Sequence, residues 1–467
     1  MVQVTRQLAE FADRLSYGAL PAEVQIRIKQ LILDLVGNMI RARHDANSTA
    51  SVIAAMTRLG YSGGDCTVLA DTTGYTAPGA AMINGTLAHS LDFDDTHAAA
   101  SIHSGAPIIP AAFAAAELVG ASGKDVIAAI VAGYEIQIRL SLALGPSDHY
   151  GRGFHPTATC GVFGAAAAAG KLLGLNVPEL ASAFGIALSQ SAGSMQFLHE
   201  GGWTKRSHVG QAAMNGIVAA TLAKEGFRGA VDAFEGDMGF FHAYTPNANP
   251  ERAVAGLGVE WQTLQVAVKP YPSCRYSHAP LDALIALRSS HDIDPQDINK
   301  VTVGVSRTGW KIIGDPEAQK RQPKSVVDGQ FSMPFCAAVA LRTGGLGWDD
   351  YDHHLKDAET LALCQRVETV VDAKVDADFP DNMAGSVKIE TTNGTFEGYV
   401  KMPKGEPGNF VSDHELLTKF EGLAGPYVDP SAMAELSSGL LNLDQASDIS
   451  LILRLSRTTP AMALAGE

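Results

Sequence analysis

The sequence predicts a mainly α protein, a large all-helical domain into which a smaller α+β domain is inserted. Three observations predict it. Up to about residue 261 the apolar residues recur at helical spacing, with almost no strand alternation. Between about 268 and 402 alternating segments appear, two of them flanking Asn393-Gly394, a strong hairpin turn signal. From Phe410 the helical spacing returns, with Asp413 as a cap candidate. The predicted domains are therefore 1–267, 268–402 and 403–467, the last packing back on the first.

The elements follow in order. Segments 5–15, 21–43 and 48–59 read as helices; Pro21 sits where a first-turn proline belongs, and Gly60 ends the third. Segment 65–69 reads as a short strand, and 77–90 as a helix leading into an acidic stretch. Segments 108–120 and 123–144 are apolar helices, the second capped by Ser122 with Asp125 in its first turn. Gly153-Phe154-His155-Pro156-Thr157 interrupts the pattern, and helices follow over 158–173, 178–194 and 209–225. In the inserted domain one helix is expected over 280–289, with strands over 300–305, 385–391 and 395–400.

At 467 residues the chain exceeds one ordinary core, which suits two domains. Its formal net charge of -15 argues against nucleic acid as a partner, because phosphate binding needs a basic face. A small anionic substrate stays compatible, since a local basic pocket can sit in an acidic protein. The longest apolar run noted, 156–170, falls short of the roughly 20 residues a membrane span needs, and residues 1–14 carry mixed charge. Neither a membrane span nor a secretory signal is expected. The five scattered cysteines include no C-x-x-C, which suits free thiols in a cytoplasmic protein and speaks against an iron–sulfur dehydratase.

The chemistry concentrates in Ala88-His89-Ser90-Leu91-Asp92-Phe93-Asp94-Asp95-Thr96-His97, with His103 shortly after. Such a cluster between apolar helices either caps helix ends in solvent or lines a cavity, where charges must be paired or bind something. His89, with apolar neighbours, reads as structural. His97 and His103 with Asp92 or Asp95 also make a carboxylate–imidazole set that would suit a divalent metal. A basic counterpart lies at Lys205, Arg206 and His208, just before the helix predicted from 209; Lys269, Arg275 and His278 repeat it at the domain junction. Lys205-Arg206 alone also reads as a solvated pair. Helix N-termini attract anions. Removing a proton next to a carboxylate needs a positioned base and cations aimed at the developing dianion. Acids, histidines and lysines from separate segments therefore fit lyase or epimerase chemistry on a small polycarboxylate.

These motifs, together with Asn84-Gly85, Phe154-His155-Pro156, Lys269-Pro270-Tyr271-Pro272 and Phe331-Ser332-Met333-Pro334-Phe335, resemble in order and spacing the MmgE/PrpD family. The likeness runs from about residue 5 to 455. It implies a helical domain with an α+β lid, a homodimer, and catalysis without metal or organic cofactor in a cleft between the domains. By similarity the catalytic residues are Asp92, Thr96, His103, His155, Lys205 and Lys269, and the substrate-binding neighbours are Arg206, His208, Arg275 and His278. Cys274 and Gln330 stand where the cis-aconitate decarboxylase branch of the family carries histidines, and 330–335 lacks that branch's tyrosine. The expectation is accordingly a dehydratase-type lyase acting on a 2-methylcitrate-like di- or tricarboxylate. A cofactor-independent epimerase of an iminodisuccinate-like acid is the alternative, and a non-catalytic carboxylate-binding protein is the third reading.

Overall fold

In the computed structural model, which describes residues 2–379 and 381–457, the chain divides into two compact units. One takes 2–268 with the tail from 412 onward; the other is 269–411. The second boundary lies beyond the predicted 402. The reason is local: residues 403–411 are tied to the second unit, where Lys404 N–H donates to Asp282 at 2.6 Å and Glu406 pairs with Arg275.

The first unit is helical. Ala22–Asp45, Ala77–Ala88, Gly105–Val119, Gly123–Leu144, Gly161–Leu172, Val177–Leu188 and Thr204–Lys224 carry its core. Gly123–Leu144 is long and apolar enough to cross a membrane by length and composition, and its apolar stretch lies buried within this unit, with Lys124 and Asp125 of the first turn exposed. Its polar residues are satisfied there: Arg139 pairs with Glu135 at 3.0 Å, and Glu135 accepts from Thr263 N–H and Oγ1 at 2.8 Å. This helix packs on Gly161–Leu172 through small residues. A Cβ on Gly133 would meet Gly164 O at 2.7 Å, and one on Gly164 would meet Gly133 O at 2.8 Å. Ser122 accepts from Asp125 N–H and caps the helix. The tail helices Asp413–Ala424 and Pro430–Leu441 pack on Ala22–Asp45. Ser412, not Asp413, is the cap, in a capping box with Glu415.

The strand read over 65–69 is Ser62–Thr67, paired antiparallel with Gly74–Tyr75, and the helix read over 178–194 is Val177–Leu188; two further departures bear on the site. Thr96–His97 forms a two-residue strand paired antiparallel with Val266–Ala267, too short to leave an alternating pattern. The helix read from 209 begins at Thr204 instead. Its first turns carry Lys205, Arg206 and His208, so no apolar stripe announces them.

The second unit holds a four-stranded sheet in the order Val367–Val371, Ile298–Val305, Gly385–Thr391, Gly394–Val400. The last two form the antiparallel hairpin, with Thr391 opposite Gly394. Val367–Val371, which sequence pattern missed, pairs parallel with Ile298–Val305 in the register Val301↔Val367. It is a five-residue edge strand whose buried positions are Val367 and the polar Thr369, with Val370 and Val371 only partly buried, so its apolar alternation is weak. The helices His278–His291 and Met333–Thr343 bury Leu281, Leu284, Phe335 and Val339 in one core with Val301, Val303 and Ile389 of the sheet.

Candidate active site

Close helix packing brings the acidic and basic segments of the first unit together. A Cβ on Gly85 would lie 2.7 Å from Gly210 Cα, and one on Gly210 would lie 2.4 Å from Met82 O. Glycine at both positions lets Thr204–Lys224 approach Ala77–Ala88 this closely. The first turn of one helix then meets the residues that follow the other. There Lys205 Nζ donates to Asp92 Oδ1 at 2.8 Å, with the two side chains 26% and 15% exposed. Asp92 adopts φ 52°, a left-handed conformation that Asp tolerates better than most residues. The tail supports this turn: Lys419 Nζ donates to Phe93 O at 3.0 Å and pairs with Asp34 at 2.6 Å.

The neighbouring carboxylates have other partners. Asp94 is fully buried, and its Oδ2 lies 2.7 Å from His89 Nδ1 and 3.1 Å from His103 Nδ1. Asp95 accepts from Gly105 N–H at 2.9 Å and Tyr134 OH at 2.8 Å, so it fixes the start of Gly105–Val119. Imidazoles continue the cluster. The His89 ring centroid lies 4.6 Å from that of His103 and 5.8 Å from that of His155, and His155 lies 5.6 Å from His208. Phe197 packs edge-on to His155 and His208. His155 is held by its backbone, whose N–H donates to Gly193 O at 3.0 Å before the turn of helix Pro156–Thr159. Among the described residues, Nδ1 of His155 and of His208, Nε2 of His89 and Oγ1 of Thr96 are buried without a hydrogen-bond partner, and so is Nδ1 of His103, whose 3.1 Å approach to Asp94 Oδ2 is not aligned as a hydrogen bond.

Burial and mutual repulsion set the charge states. Burial lowers His89 to about 4, against the pull of Asp94. Burial, then His89 and Lys205, drive His155 well below the usual imidazole range, and burial also lowers His208. Burial works against the Asp94 carboxylate, but His103 and His89 outweigh it and hold the group well below its ordinary value. Burial pushes Asp95 up to about 7 despite its two donors. For Lys205 the Asp92 carboxylate outweighs burial and keeps the ammonium protonated. The result is one paired cation and one buried anion among neutral imidazoles, a setting that can take up a carboxylate and move a proton.

The first unit thus gathers Asp92, His103, His155, Lys205 and His208. Thr96 stands on the short strand just beyond the acidic turn. Arg206 turns to Ser48 Oγ at 3.1 Å. In the second unit Lys269 is buried, His278 Nε2 lies 3.2 Å from Ser273 O beside Tyr271, and Arg275 is paired with Glu406. Gln330 donates its side-chain amide to Pro272 O at 3.1 Å, and its backbone carbonyl accepts from Cys274 N–H at 2.8 Å. The carboxylate–imidazole set read from sequence as a metal candidate is not assembled, because Asp92, Asp95 and His97 have separate partners, His97 lying 3.3 Å from Gln262 Oε1. His89, Asp94 and His103 instead place donor atoms within 4.8 Å of one another. His89 Nδ1 already donates to Asp94 Oδ2 at 2.7 Å, a direct contact that suits an imidazole donor better than a shared ion. Sequence reasoning missed Asp94 as a partner of His103 and treated His89 as structural; the five-residue spacing of His89 and Asp94 around a helix end was the available signal.

Residues 6–253 match the MmgE/PrpD N-terminal domain, and residues 271–445 match the MmgE/PrpD C-terminal domain. The chain is 30% identical over 485 residues to the cis-aconitate decarboxylase-like protein oryM of Aspergillus oryzae, covering 97% of each. It is 30% identical over 483 residues to a cis-aconitate decarboxylase of Aspergillus terreus, covering 97% of this chain and 95% of that protein. It is 26% identical over 483 residues to the cis-aconitate decarboxylase of Homo sapiens, covering 97% of this chain and 94% of the human protein.

Proposed function

The chain belongs to the MmgE/PrpD family, and from that premise we propose that it is a lyase acting on a small polycarboxylate of the cis-aconitate type. The observation that carries the reading is the Lys205–Asp92 ion pair set against buried Asp94, the neutral imidazoles of His89 and His155, and His103 beside them. A carbanion beside a carboxylate spreads its charge onto that carboxylate's oxygens. The Lys205 ammonium is the cation placed to receive that charge, and His103 is the proton carrier. In decarboxylation the bond to one carboxylate breaks, CO2 leaves, and the electron pair takes up a proton at carbon. His155 and His208, kept neutral, can accept hydrogen bonds from or donate them to a substrate carboxylate. Lys269 enters on chemical type alone, as a buried lysine in a stretch that the family likeness covers.

Dehydration of a 2-methylcitrate-like acid is the second reading. Gln330 and Cys274 favour it, since the amide and thiol offer no imidazole for protonating a carbanion. Incubating the protein with cis-aconitate and with 2-methylcitrate in D2O, followed by proton NMR, tests both. Loss of CO2 with deuterium at the new C–H supports the first, and an alkene formed with loss of water supports the second. Deuterium exchange without net loss from an iminodisuccinate-like acid would replace both with epimerisation. Tight binding without turnover of any of these acids would leave only a carboxylate-binding protein.

A further inference from the structure

We infer that Asp94 is a positioning residue that fixes the tautomer and direction of His103, with His89 as its brace. The inference rests on the reading of His103 as a proton carrier. Its physical basis is what Asp94 lacks. Asp95, next in sequence, is occupied by Gly105 N–H and Tyr134 OH, the pattern of a carboxylate that fastens a helix. Asp94 is equally buried, yet its Oδ1 has no partner among the described residues and its Oδ2 faces two imidazole nitrogens. A buried carboxylate with only imidazole partners serves those rings.

An ionised carboxylate is an acceptor only, so the hydrogen-bonded Nδ1 of His89 carries the hydrogen, and Nδ1 of His103, 3.1 Å from the same oxygen, needs only a small turn of the ring to donate to it, leaving each Nε2 with its lone pair. The two rings differ in access. The His89 side chain has no solvent exposure, and its ring edge abuts His103 at 4.6 Å between centroids. The His103 side chain is 15% exposed, and its backbone N–H is held by Thr157 Oγ1 at 3.3 Å. Of the two nitrogens oriented by Asp94, only that of His103 can reach a substrate. His89, at 2.7 Å, keeps the carboxylate from rotating away from the longer contact.

The test uses the full chain with 15N-labelled histidine, and the His103 ring is assigned by the signal lost in His103→Gln. The expected spectrum shows Nδ1 protonated and Nε2 unprotonated at neutral pH, with that preference lost in Asp94→Asn. Turnover of Asp94→Asn on cis-aconitate or 2-methylcitrate should fall about 10²-fold in kcat, with KM within about threefold, as expected when a proton carrier loses its orientation. The wild-type tautomer is readable even if Asp94→Asn does not fold. An Nε2-protonated His103 in an active enzyme would overturn the positioning role and leave the lyase reading standing. So would a stoichiometric divalent metal that removes both Nδ1–H signals. The expected tautomer in a chain that turns over no carboxylate would support the Asp94 geometry and sink the lyase reading.

Discussion

Replacing Lys205 by methionine keeps the aliphatic stem and deletes the charge opposite Asp92. At the observed 2.8 Å two unit charges attract by about 6 kcal/mol at an effective dielectric near 20. Most of that is offset by the desolvation of both groups. With side chains 26% and 15% exposed, the pair lies between a surface bridge, worth about 0–1 kcal/mol, and a fully buried one, whose breakage costs about 3–5. Lys205→Met is therefore expected to lower unfolding free energy by about 2 kcal/mol. Asp92→Asn should cost less, because a solitary ammonium on a long stem can still reach water. The double variant should be less destabilised than the sum, with a coupling of about 1–2 kcal/mol. Activity should fall further than stability, since the cation facing the developing dianion is gone; a loss of about 3 kcal/mol is on the order of 10² in kcat/KM. Urea unfolding of the four proteins measures the first effect and product formation by NMR the second. A folded Lys205→Met enzyme with wild-type turnover would refute the assignment, and strict additivity in the cycle would refute the ion-pair energetics.

Acid should weaken the fold. His89 and His149 are each lowered by burial to about 4, so both favour the fold as neutral rings. Their contribution, about 3 kcal/mol each by linkage, is fully present above pH ~6.5 and is lost as pH falls through about 4. Asp95, raised to about 7, acts oppositely: its contribution is present below its unfolded value and is lost as pH rises through about 7. Two imidazoles against one carboxyl leave a net loss of about 3 kcal/mol on going from pH 7 to 4, and a flat or rising urea midpoint over that range would contradict it. Gly210→Ala should cost about 2–3 kcal/mol and reduce turnover, because its Cβ would lie 2.4 Å from Met82 O and Thr86 Oγ1 and push Lys205 from Asp92; a change under about 0.5 kcal/mol in thermal unfolding would count against the close approach. In the second unit, Arg275→Met should cost about 2–3 kcal/mol and Glu406→Gln should relieve part of that loss. An Arg275→Met protein of unchanged stability with a raised KM would instead make Arg275 a substrate contact.

The fold was legible where a pattern has a period. Helix Gly123–Leu144 coincides with its predicted span because apolar residues, a Ser122 cap and a closing glycine agree. The hairpin at Asn393-Gly394 was legible because its turn chemistry is local. Thr96–His97 and Val266–Ala267 left no trace, since two residues per strand cannot alternate. The start of Thr204–Lys224 was hidden by its function: residues that face a polar cluster break the apolar stripe that announces a helix. At the site, residue types and family motifs pointed to Asp92, His103, His155 and Lys205 before any contact was known. What could not be read was pairing. Nothing in the spacing of three nearby acids says which meets a lysine, which meets imidazoles and which meets a backbone amide.

That division of labour is the physical core of the site. Asp92 sits in the left-handed region, partly exposed, where a charge is cheap to keep and a long lysine can follow it. Asp94 is buried with imidazoles as its only described partners, and His103 and His89 hold it ionised against the cost of burial. Asp95 receives a backbone N–H and a phenol, which is insufficient to hold a fully buried carboxylate at its ordinary acidity. Three like side chains within four positions would repel strongly if all faced one hollow. Sending each to a different partner removes most of that repulsion and leaves a cation and an oriented imidazole available to a ligand. A polycarboxylate arriving here would compete with Asp92 for Lys205, so its binding should loosen that pair while leaving Asp94 untouched. The two carboxylates should then respond differently to substitution: Asp92→Asn acts mainly on KM, and Asp94→Asn mainly on kcat.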